Sequence, residues 1–208
     1  MIKKFVNKDV FSSNVYVVNS NNTVILIDPG FYDEYLKSYL KSFGKLDAIL
    51  LTHGHFDHIR EVDKIKEDYP STKIYIHKND YDNLKRPALN LSYIMDFDLV
   101  IKSEANICND KLIIGDLEIK TFHTPGHTKG SIMYYIKNEN ALFSGDTIMK
   151  DTVGTTRYVG GDESELKKSL EQFKKLNIDK YTVIYPGHDE GCTYEYILNN
   201  NEYLNGRF

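Results

Sequence analysis

Residues 52–59, "THGHFDHI", decide how this chain is read. Three histidines and one acid, His53, His55, Asp57 and His58, fall within six residues. A charged, solvated turn accounts for a lone His or Asp. It does not account for this density, because protonated imidazoles repel one another. A shared metal ion removes the conflict, since neutral imidazole and carboxylate are both good ligands. In an extended stretch His53 and His55 point the same way. Adjacent Asp57 and His58 point elsewhere, so the local geometry suggests two sites rather than one.

Outward from this cluster, three more candidates share its context. His127 in "TPGHT", Asp146 in "SGDT" and His188 in "YPGH" each follow a segment that reads as a strand. Loops at strand ends carry function on a rigid scaffold, and the adjacent Gly and Pro allow sharp turns. One metal could take His53, His55 and His127. A second could take Asp57, His58 and His188, and Asp146 has two oxygens with which to bridge them. Two metals about 3.5–4 Å apart would polarise a carbonyl and hold a bridging hydroxide. His77 and His123 lie outside these pieces and read as packed or solvent-facing side chains.

The rest of the chain supplies the scaffold. "KKFV", "NVYVVNS" and "TVILID" read as a strand meander. "DEYLKSYLKSFG" places Leu36, Leu40 and Phe43 at helical spacing, with Gly44 as a stop. "LDAILLT" is a buried strand running into the histidine cluster, "IREVDKIKEDYP" a helix ended by Pro70, and "KIYIH" another strand. "LEIKTF", "SIMYYI", "ALFSGDT" and "YTVIYPGH" continue the strands. "DESELKKSLEQFKKL" predicts a helix with an Asp162/Glu165 capping box and Leu166, Leu170 and Phe173 on one face. "TYEYILNN" predicts a closing helix. Strands followed by helix occur twice, which suggests two packed sheets with helices outside. Residues 86–110 show little periodicity but are apolar (Leu89, Leu91, Tyr93, Ile94, Met95, Phe97), as expected of a lid loop.

The 208 residues suit one domain spanning 1–208. A net charge of -4 argues against a nucleic-acid binder. The N-terminus shows no signal-peptide pattern, and no apolar run approaches a membrane span. Cys108 and Cys192 are far apart and read as free thiols in a reducing cytosol. The expectation is a cytoplasmic protein acting on a small molecule, with no nucleic-acid or membrane partner; oligomeric state is not legible.

The pieces "LIDPG", "LTHGHFDHI", "TPGHTKGSI", "FSGDT" and "YPGH" run in that order through nearly the whole chain. In them the sequence resembles the metallo-β-lactamase superfamily, and within it the glyoxalase II-like (hydroxyacylglutathione hydrolase-like) enzymes. The resemblance implies an αββα sandwich of two mixed β-sheets flanked by helices, with a dinuclear site at one edge and the ligand division given above. It also implies that Asp28 in "IDPG" orients a ligand histidine or the strand end.

The chemistry expected is hydrolysis of a small thioester or related ester, by attack of a metal-bridging hydroxide. Oxygen and nitrogen ligands without sulfur suit two zinc ions, or iron or manganese. Asp57 doubles as a group that could orient the nucleophile or accept its proton. Two departures bear on substrate. Glyoxalase II proteins carry a helical C-terminal domain that holds glutathione, whereas this chain ends about twenty residues after His188. Relatives also read Gly-Arg-x-Asp where this chain has "GTTRYVGGD", leaving Arg157 and Tyr158 as candidate substrate contacts. The main alternative is a persulfide dioxygenase with one iron on His53, His127 and Asp146. A lactonase and a non-catalytic zinc protein are further alternatives. A secreted β-lactamase is disfavoured by the missing signal peptide and cysteine ligand. Redox diiron members, which replace the second histidine with Glu, are disfavoured by His55.

Overall fold

A computed structural model describes residues 1–7 and 13–206. The first sheet runs in chain order through β1 (Ile2–Phe5), β2 (Val15–Ser20), β3 (Thr23–Ile27), β4 (Ala48–Leu50), β5 (Lys73–Ile76) and β6 (Asn106–Ile107). Its first three strands pair antiparallel and the rest parallel. The second sheet contains β7 (Lys111–Ile114), β8 (Leu117–His123), β9 (Ile132–Ile136), β10 (Ala141–Gly145), β11 (Val183–Pro186) and β12 (Cys192–Thr193). All its pairs are antiparallel except β10 with β11.

Side-chain alternation along the strands builds the layers. In β3, Ile25 and Ile27 enter the core between the sheets, while Val24 and Leu26 face the helices. In β9, Ile132, Tyr134 and Ile136 face the first sheet, while Met133 and Tyr135 face the opposite way. Helices α1 (Glu34–Lys41), α2 (Phe56–Ile59) and α3 (Val62–Asp68) follow strands of the first sheet, whose outer core takes up Leu36 and Leu40 of α1 and Val62 and Ile65 of α3. After the short α4 (Pro87–Asn90), α5 (Glu163–Phe173) and α6 (Tyr194–Asn200) cover the second sheet through Leu166, Leu170, Phe173 and Ile197. The result is helix, sheet, sheet, helix: the αββα sandwich.

Three local expectations need correction. The helix expected over residues 59–70 is split into α2 and α3. The Glu61 amide leaves the helical ladder and donates to the Pro29 carbonyl at 3.1 Å, tying this segment to the end of β3. At the N-terminus of α5, Asp162 accepts from the Glu165 amide at 2.9 Å, but Glu165 pairs with Lys168 at 2.7 Å, so only half the capping box forms. Residues 86–110 are not structureless: they contain α4, a 3₁₀ turn (Ser92–Met95) and the edge strand β6. Buried Asn90 holds the segment together by donating to the carbonyls of Asn83 and Leu99, both at 2.9 Å.

Candidate metal centre

All the candidate ligands lie beyond the C-terminal ends of strands. His53, His55, Asp57 and His58 follow β4, His127 follows β8, Asp146 follows β10, and His188 follows β11. The Thr52 carbonyl accepts from the Ile132 amide at 2.9 Å, locking the edges of the two sheets together at the site. Three groups of side chains have ligand atoms within 4.8 Å of one another: His53, His55 and His127; His53, His58 and Asp146; and Asp57, His58 and His188. Asp146 stands between them. One of its oxygens lies 3.5 Å from His127 Nε2 and 3.4 Å from His188 Nε2, and the other lies 3.5 Å from His58 Nε2.

The arrangement suits a metal by its unmet bonding. Among the described residues, His55 Nε2, His58 Nε2, His127 Nε2 and Asp146 Oδ1 are buried without a hydrogen-bond partner. Buried polar atoms are rarely left so. The opposite ring nitrogens are engaged. His127 Nδ1 donates to the Thr155 carbonyl at 2.8 Å, and His58 Nδ1 lies 3.0 Å from Asp28 Oδ2. A proton held on the ring nitrogen facing the scaffold leaves Nε2 as the nitrogen that a metal would take. His53 Nε2 and His55 Nδ1 face each other at 3.1 Å.

A sequence model of the metallo-β-lactamase superfamily matches residues 9–188. The chain belongs to that superfamily. It is 30% identical over 191 residues to a hydroxyacylglutathione hydrolase of Francisella philomiragia subsp. philomiragia, a match covering 90% of this chain and 67% of that protein. Among solved structures, BLEG-1, described as a B3 metallo-β-lactamase, is 33% identical with a TM-score of 0.90, over 99% of this chain and 100% of the other. TTHA1623, solved in a di-iron-bound form, is 27% identical with a TM-score of 0.84, over 96% and 98%.

The charges divide this superfamily site into two halves. Burial is the largest influence on His53 and His55 and holds both pKa values down, His55 to about 3, with neighbouring imidazoles adding to the effect. These rings stay neutral. Burial also opposes a charged His58, but Asp57, Asp146 and Asp28 outweigh it and raise its pKa to about 9. His188 is raised to about 11 by Asp146 and Asp57 against the same opposition. Burial pushes the Asp57 and Asp146 carboxyls up, yet His58 and His188 hold both below the usual range.

Asp28, Tyr158 and Arg157 fall in different places. Asp28 accepts from the Thr52 amide and hydroxyl at 2.7 and 2.6 Å as well as facing His58. Tyr158 lines the cavity above the ligands, whereas Arg157 is exposed and does not line it. His77 and His123 stack on each other with centroids 4.0 Å apart, apart from the three ligand groups. Sequence reasoning missed Asp80. It is buried and accepts from the Gly54 amide, the Gly130 amide and the Thr128 hydroxyl at 2.9, 2.6 and 2.7 Å. One carboxylate thus pins the loop of His53 and His55 to the loop of His127. No motif marks Asp80 in "HKND", so the sequence carried no signal for it.

Proposed function

We propose that this chain is a dinuclear metal-dependent hydrolase that cleaves a small thioester or related ester. The observation that carries the reading is the second ligand group, Asp57, His58 and His188, meeting the first at Asp146. His53, His55 and His127 would hold one metal, Asp57, His58 and His188 the other, and Asp146 both. Two zinc ions fit these ligands, and iron or manganese fits them too; the di-iron form of TTHA1623 keeps iron in contention. Metals held there would polarise the substrate carbonyl and acidify water.

The remaining work falls to the chain. Asp57, kept ionised by His58 and His188, accepts a hydrogen bond from the attacking water and orients it. Asp28 and Thr52 hold the rings of His58 and His53, whose Nδ1 lies 3.2 Å from the Thr52 hydroxyl. The Thr155 carbonyl fixes His127, and the same loop continues to Tyr158 at the cavity mouth, where its ring contacts substrate. Residues 86–110 act as the lid, with Leu91, Ile94 and Met95 in the cavity wall. The similarity to a hydroxyacylglutathione hydrolase supports a thioester. The similarity to BLEG-1 favours a second reading, hydrolysis of a β-lactam amide by the same groups.

The test is metal analysis of protein purified without added metal, with thioester, β-lactam and persulfide assays on the same sample. Two metals per chain with thioester cleavage is the expected result. β-Lactam cleavage alone would install the second reading, and one iron with persulfide-dependent oxygen uptake would overturn both.

A further inference from the structure

The cavity above the ligands encloses about 280 Å³, at the small end of ligand pockets. Its floor is polar, formed by His55, Asp57, His127, Asp146 and His188. Its walls are not. Phe56 stands beside the floor, Leu91, Ile94 and Met95 come from the segment after α4, and Met149 and Val153 come from the loop after β10. Among the described residues no Lys or Arg lines it. Ile94 and Tyr158 are each 47% exposed, so apolar surface is left facing the opening.

We infer that the site selects an uncharged, apolar acyl group, short enough for a cavity at the lower end of the ligand-pocket range. The inference rests on the hydrolase reading and names its substrate class. No Lys or Arg among the described lining residues can hold a charged thiol carrier, so the carrier stays at the mouth and the acyl chain enters. The reaction is thioester plus water to carboxylic acid plus thiol; the C–S bond breaks, the new C–O bond is to the oxygen of water, and the leaving thiolate takes up a proton from that water. Polar acyl groups that extend along Leu91, Ile94 and Met149, away from Thr155 and Tyr158, would bury their hydroxyl or charge against apolar side chains.

The experiment has two readouts. The first is kcat/KM of the zinc-loaded protein for straight-chain acyl thioesters from acetyl to decanoyl on one thiol, and for several thiols on one acyl group. The value should climb about fourfold per methylene buried until the cavity is full, and vary little with the thiol. The second is calorimetric affinity for the matching carboxylates, which should climb in parallel. Ile94→Asp, a change at an exposed position, should flatten both series. A flat acyl series, a preference for hydroxylated or charged acyl groups, or a dependence on the thiol instead would overturn the inference and leave the hydrolase standing. If no thioester is cleaved, the hydrolase reading fails. The carboxylate series then decides alone: rising affinity supports the apolar pocket, and flat affinity overturns it.

Discussion

Asp28 Oδ2 and His58 Nδ1 lie 3.0 Å apart, and the same oxygen takes the Thr52 hydroxyl at 2.6 Å. Asp28 therefore sets the orientation of one ligand directly and of His53 through Thr52. Its backbone is left-handed, with φ 51°, a conformation Asn tolerates well. Asp28→Asn should fold, but its amide presents donors where two donors already point. Metal affinity should fall about 10–100-fold, read by competition with a chromophoric chelator. Unchanged affinity would mean that Asp28 serves only the strand end.

His188→Ala separates two metals from one. His188 Nε2 touches Asp57 and Asp146 at 3.3 and 3.4 Å and makes no contact with His53, His55 or His127 in the ligand groups. The variant should keep one metal of two, and kcat should drop about 10²–10³-fold, the scale for losing one preorganised electrostatic contact. Metal stoichiometry and thioester turnover on the same preparation check this. Retention of both metals and full rate would refute the dinuclear assignment.

Asp80→Ala removes the acceptor of three buried donors at once. At about 1 kcal/mol or more for each donor left unmet, stability should fall by about 3 kcal/mol. In a chain of this size that lowers Tm by roughly 6–12 °C. Because Gly54 lies between two ligands, metal affinity should weaken as well. A Tm within about 2 °C of wild type would show that water replaces the carboxylate at little cost.

His77 supplies a pH dependence away from the candidate ligand groups. Burial first, then His123 and Lys78, lower its pKa to about 4 from 6.5. The folded state thus binds fewer protons than the unfolded state between these values. Stability contributed by the neutral ring is complete above about pH 6.5 and is lost as pH falls towards 4. His77→Phe keeps an aromatic partner for His123 but cannot titrate, so Tm against pH should be flatter than wild type over that window. Parallel curves would remove His77 from the account.

The parts legible in the sequence were those written in contiguous or periodic signals. His53 to His58 announce themselves by crowding, and the short apolar runs "TVILI" and "IMYYI" announce strands, although both are buried along their whole length and so do not say which side chains enter the core between the sheets. What stayed hidden depends on partners distant in the chain. Asp80 matters through Gly54 and Gly130, 26 and 50 residues away. The break between α2 and α3 follows from one bond to Pro29, which no local propensity encodes. The order in residues 86–110 rests on Asn90 reaching the Asn83 and Leu99 carbonyls rather than on periodicity.

The cavity's floor and its walls have separate origins. The floor hangs on strand ends held in register by two sheets. Most of the wall comes from residues 91–95 and 149–158, which belong to neither sheet. Descent can therefore rewrite the walls by substitution or insertion while the reacting centre passes on intact. A lineage carrying this chain can change its diet without reinventing its chemistry, and laboratory selection for a new substrate should begin with those two stretches.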